Sequence, residues 1–160
     1  MRLAEPGRDK INWHRSDRYV NREFSWIQFN QRVLSEAINP ANPLLERLKF
    51  LAIFESNLDE FYMVRVSGLI EQHESGVVAL TPDGLSPSEQ LSMIVEVARP
   101  LRQQAADLWK HDLKPKLEQA GIEIRKWESL SDREKAQMAE FFKAEVFPVS
   151  TPILLYPAQS

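Results

Sequence analysis

Three serines in this chain are each followed, three residues later, by glutamine or glutamate beside an apolar run: Ser25 with Gln28, Ser86 with Glu89, and Ser131 with Glu134. At that spacing the hydroxyl and the longer side chain satisfy each other's orphan backbone N–H groups at a helix start. An extended strand has no use for the arrangement. Apolar residues recur after each serine at helical rather than alternating spacing, so the chain reads as mainly α.

The first helix is expected to start at Ser25, with Phe24 stapled onto Phe29. Trp26, Phe29, Val33 and Ala37 would face inward, flanked by Ile27, Leu34 and Ile38, until Asn39-Pro40 stops the helix. Asn42-Pro43 is read as the next start, with Asn as cap and Pro at the first helical position. Leu44, Leu45, Leu48, Leu51 and Ala52 would form its buried stripe. The polar run Glu55-Ser56-Asn57 reads as a break, where Ser56 and Asp59 cap a new helix through Leu58, Phe61, Tyr62, Val66, Leu69 and Ile70. Ser75-Gly76 ends that helix, and Thr81-Pro82-Asp83-Gly84 has the composition of a type I turn. From Ser86 a long helix is expected to reach about Ala120, facing inward through Leu91, Ile94, Val97, Ala98, Leu101, Ala105, Leu108 and Trp109. Pro100 should kink it and Gly121 should close it.

Beyond Gly121 the pattern changes. Ile122–Arg125 alternates like a short strand, Ser131 opens a helix through Met138, Phe141, Phe142 and Val146, and Val146–Tyr156 reads as extended and proline-punctuated. An apolar strand needs pairing partners, and one short upstream strand supplies few. The organisation expected is a polar, mobile arm over 1–18, a helical bundle over 19–119, and over 120–160 the first elements of an α+β head domain that is cut short.

Composition narrows the function. The 160 residues carry a formal charge of −3, which lacks the basic field of a nucleic-acid binder. The absence of cysteine removes thiol catalysis and cysteine-held metals, and it fits a cytoplasmic setting. No Gly-rich phosphate loop, HExxH or GxSxG occurs. The three histidines are far apart, so His14, His73 and His111 form no ligand pair, and His73 and His111 read as surface residues.

The most unusual stretch is Glu55–Tyr62. Asn57, Phe61 and Arg65 fall at i, i+4 and i+8 on one helical face. Two readings stay open there. One is a capped kink with Arg65 paired to an internal carboxylate, because a charge among apolar neighbours is costly unless paired. The other is a ligand edge, in which the Asn57 amide offers the donor and acceptor that match adenine, and Arg65 meets phosphate or carboxylate. Trp26, Phe29 and Phe24 read as core before they read as a stacking platform, as do Trp109 and Trp127.

Three long segments then resemble one known family. Tyr19–Leu34, Asn42–Leu51 and Ser56–Val66, followed by Leu113–Ile122 and Val146–Pro152, are similar in sequence and order to the opening of bacterial polyphosphate kinases. The resemblance implies an enzyme that reversibly moves the terminal phosphate of ATP onto polyphosphate. It also implies a helical N-terminal domain, a head domain contributing to a homo-oligomer, and later phospholipase-D-like domains that carry the phosphorylated histidine and the Mg ligands. This chain would then hold no catalytic residue and no metal, and its partners would be ATP, polyphosphate and its own C-terminal domains. Peripheral membrane association is left open. One site residue carries over: Asn57, from the Ser-Asn-Leu-Asp-Glu-Phe-Tyr motif, as an adenine-side ATP contact. The rival is a helical scaffold without a ligand, in which Asn57 is only a helix cap.

Overall fold

A computed structural model describes residues 15–151. Most of the polar arm and the segment from Pro152 onward, including the Ile153–Tyr156 part of the expected extended run, lie outside the described residues. Four continuous helical rods account for the architecture of those described. The first is α1 (Arg22–Ile38). The second joins α2 (Leu44–Glu60), a wide turn of π geometry (Phe61–Val66) and α3 (Ser67–Glu74). The third joins α4 (Pro87–Leu108), a second wide turn (Trp109–Leu113) and α5 (Lys114–Gln119). The fourth joins α6 (Asp132–Phe141), a third wide turn (Phe142–Val146) and a 3₁₀ turn (Phe147–Val149).

The chain divides into two compact units at Ala120–Gly121. In the first, α1 packs on α2 and α4, and α3 packs on α4. Ile27, Leu34, Phe54, Leu58, Phe61, Ile94, Leu101 and Leu113 form its core. The α4 face is the one expected, with Ile94, Ala98, Leu101 and Ala105 all buried. α4 also continues through Pro100. Both Pro100 and Glu96, whose carbonyl loses its bond, lie on the exposed side, where water can satisfy it.

Several boundaries differ from expectation, each for a local reason. α1 starts three residues before Ser25, because the Asn21 side chain accepts from the N–H groups of Glu23 and Phe24. Asn42 caps no helix; it donates to the carbonyl and carboxylate of Glu36, and Pro43 takes the N-cap position. The stripe of α2 is turned: Arg47, Leu51, Phe54 and Leu58 are buried, whereas Leu45 and Ala52 are exposed. Arg47 belongs inside because its Nε donates to the Ala37 carbonyl at 2.8 Å and its guanidinium pairs with Asp112, closing the C-terminus of α1. No break occurs at Glu55–Asn57, and Ser56 caps nothing. The irregularity lies one turn later, at Phe61–Val66.

In the second unit the Ser131–Glu134 capping box forms as expected. Ile122–Arg125 forms no strand, and no strand occurs among the described residues. Phe142–Val149 is helical where extended chain was expected from Val146. Glu134 and the Ser131 cap start a helix that nothing stops before Pro148. Trp127, expected in a core, is 53% exposed.

Candidate functional site

Asn57 lies in the last turn of α2, inside a rod that continues beyond it, so it is not a cap. Its Nδ2 donates to Oδ1 of Asn30 at 2.9 Å. Asn30 is fully buried on the inner face of α1 and donates its own Nδ2 to the Phe54 carbonyl at 3.0 Å. This amide relay crosses from α1 to α2 and leaves no buried side-chain polar atom unsatisfied among the described residues.

Beside it stands an aromatic stack. Trp26 lies on Phe61 with ring centroids 4.5 Å apart and planes 8° from parallel. Tyr62 meets Phe61 in a T-shaped contact with ring centroids 5.9 Å apart. The guanidinium of Arg65 sits 5.9 Å from the Trp26 ring centroid and is held by Glu23 Oε2 at 3.2 Å. Glu23 is 2% exposed and also accepts from Arg22, so the internal carboxylate expected for Arg65 exists and comes from the first turn of α1. Asn57, Phe61 and Arg65 line one open hollow of about 260 Å³ together with Trp26, Phe29 and Glu60. Phe29, expected inside, is 48% exposed there.

Such a hollow can flank a planar ring with aromatic and guanidinium faces while an amide addresses the ring's edge. It offers little to a phosphate chain, since Arg65 is its one cationic lining residue and is already paired with Glu23. Among the described residues no group of three or more His, Asp or Glu side chains is placed to hold a metal. His73 and His111 are exposed. No helix among the described residues is long and apolar enough to cross a membrane.

The sequence reading missed two participants. Asn30 left a signal, being a polar residue between Ile27 and Leu34 on the apolar stripe. Glu23 left none, because its partner lies 42 residues away. A second hollow, of about 440 Å³, was also unforeseen; Glu55, Tyr62, Arg99, Arg102 and Gln103 line it. Burial pushes the Glu55 carboxyl above its ordinary range, against the pull of Arg102.

Comparison with known proteins shows the family of the chain. Residues 19–125 match the family model for the polyphosphate kinase N-terminal domain. A polyphosphate kinase of Mycolicibacterium gilvum is 50% identical over 142 residues, covering 89% of this chain and 20% of that protein. A polyphosphate kinase of Synechocystis is 46% identical over 158 residues, covering 99% and 22%. The crystal structure of polyphosphate kinase from Porphyromonas gingivalis matches with a TM-score of 0.62 at 33% identity, over 88% of this chain and 20% of that one. The chain therefore spans about a fifth of the length of these relatives. With well over half of its residues inside the family match, this chain belongs to the polyphosphate kinase N-terminal domain family.

Proposed function

We propose that this chain serves as the N-terminal region of an enzyme that reversibly transfers the terminal phosphate of ATP to polyphosphate, and that it supplies the adenine-side wall of the nucleotide site. Asn57 is the ATP contact. The observation that carries this reading is that Asn57, whose Oδ1 accepts no hydrogen bond among the described residues, lines one hollow with the stacked Trp26 and Phe61. Phosphoryl transfer needs cations around the phosphates, and the hollow lacks them. The catalytic histidine and the Mg ligands accordingly belong to other domains of the intact enzyme, and the chain alone does not catalyse. The intact enzyme acts in the cytoplasm as a homo-oligomer.

The test is Asn57→Ala in the intact enzyme. The expected result is a several-fold rise in KM for ATP with kcat and the KM for polyphosphate retained. An unchanged KM for ATP overturns the assignment. The assay is run well below the melting temperature, because the substitution also strands the buried Oδ1 of Asn30, at a cost of about 1–3 kcal/mol.

That hydrogen bond favours a second reading, a ligand-free scaffold in which Asn57 ties α2 to α1. Under it, Asn57→Ala lowers the melting temperature and leaves KM alone.

A further inference from the structure

We infer that Asn30, which cannot itself touch a ligand, is a positioning residue that makes the site select 6-amino over 6-oxo purines. The inference rests on the assignment of Asn57 to the adenine edge and goes one step behind it.

The argument is one of obligate donors and acceptors. The Phe54 carbonyl can only accept, so the NH₂ of Asn30 must face it, at 3.0 Å. That turns Oδ1 of Asn30 toward Asn57, and since this oxygen also only accepts, Asn57 must present its Nδ2, at 2.9 Å. Turning the Asn57 amide over would set two oxygens against each other, beside a residue that is fully buried. The Asn57 amide is therefore locked. Its Oδ1 accepts no hydrogen bond among the described residues, and it lies on a side chain that lines the hollow with Trp26, Phe61 and Arg65.

A locked amide reads a purine in one sense only. Adenine offers a donor at position 6 beside an acceptor at N1 or N7, which suits a fixed oxygen and a fixed N–H. A 6-oxo purine presents an acceptor at position 6, facing the fixed oxygen. A freely rotating amide could flip to meet the N1 edge of that base; one held by Asn30 cannot.

The experiment compares kcat/KM for ATP, purine riboside 5′-triphosphate (no group at position 6) and inosine triphosphate in the intact enzyme. Wild type, Asn30→Leu, Asn57→Ala and the double variant are assayed. The expected wild-type order is ATP, then the purine riboside, then inosine triphosphate. Asn30→Leu replaces the amide by an apolar side chain of similar size and frees Asn57, so the ATP-to-inosine-triphosphate ratio should fall about tenfold. In the Asn57→Ala background the same change should leave the ratio alone, which a merely structural role for Asn30 would not produce. If Asn30→Leu does not fold, the wild-type order decides by itself. Wild type using inosine triphosphate as well as ATP, while Asn57→Ala still raises KM for ATP, overturns the role of Asn30 and leaves the role of Asn57 standing. An unchanged ratio in folded Asn30→Leu overturns it too. If Asn57→Ala leaves KM for ATP unchanged, both assignments fall.

Discussion

Each of the two compact units starts one helix by the same device, and the two differ in almost everything else. Ser86 with Glu89, and Ser131 with Glu134, form complete reciprocal capping boxes. Yet α4 lays Ile94, Ala98, Leu101 and Ala105 into a shared core, whereas no described residue of the second unit is buried. Phe141, Phe142, Val146 and Phe147 instead line an open apolar hollow of about 760 Å³. Local chemistry suffices to start and stop a helix. Burial, which supplies most of a helix's stability, is a tertiary property.

The sharpest way to break this contrast is to truncate a phenylalanine in each unit. Phe54→Ala removes a side chain with no solvent exposure from the first core and should cost about 3–5 kcal/mol by denaturant unfolding. Phe147→Ala, at a position 66% exposed, should stay within about 0.5 kcal/mol. A comparable loss at both would mean that the second unit has a core of its own.

Arg47→Met comes next. It leaves the Ala37 carbonyl unpaired at the end of α1, while Asp112, partly exposed, keeps Lys116. A loss of about 2 kcal/mol is expected, below the range for fully buried pairs. Ser86→Ala and Ser131→Ala each remove a cap worth about 1 kcal/mol. The first should lower the midpoint of global unfolding. The second should raise only local amide exchange around Asp132–Phe141, read by hydrogen-exchange mass spectrometry.

The smallest effect is in pH. Hydrogen bonds from Lys116, and then from Arg47, hold the Asp112 carboxyl below its ordinary value. A depressed folded value means that the contribution is complete above the unfolded aspartate value of about 4, and is lost as pH falls through the folded one. Thermal melts across that acid range should show a slope that Asp112→Asn reduces.

Legibility in the sequence follows the same division between local and tertiary causes. The Ser86 and Ser131 boxes, the stop at Asn39-Pro40 and the closing glycine at Gly121, with φ of 81°, act within a few residues and could be read. Two of the three wide turns end two residues before a proline, Pro115 or Pro148, whose missing N–H and bulky ring disturb the preceding turn. The third, Phe61–Val66, has no such marker, and the polar run before it drew the expected break to Ser56 instead. The site was half legible. Helical spacing placed Asn57, Phe61 and Arg65 on one face, and all three line one hollow. Their polar partners Asn30 and Glu23 arrive from another helix, across 27 and 42 residues of chain, which no local period encodes.

The claim that this region forms the adenine-side wall is tested most directly by photolabelling the intact enzyme with 8-azido-ATP and mapping the modified peptides. Label within Arg22–Ile38 or across Asn57–Arg65, suppressed by excess ATP, is the result the account predicts. ATP-protected label found only outside residues 19–125 would contradict it.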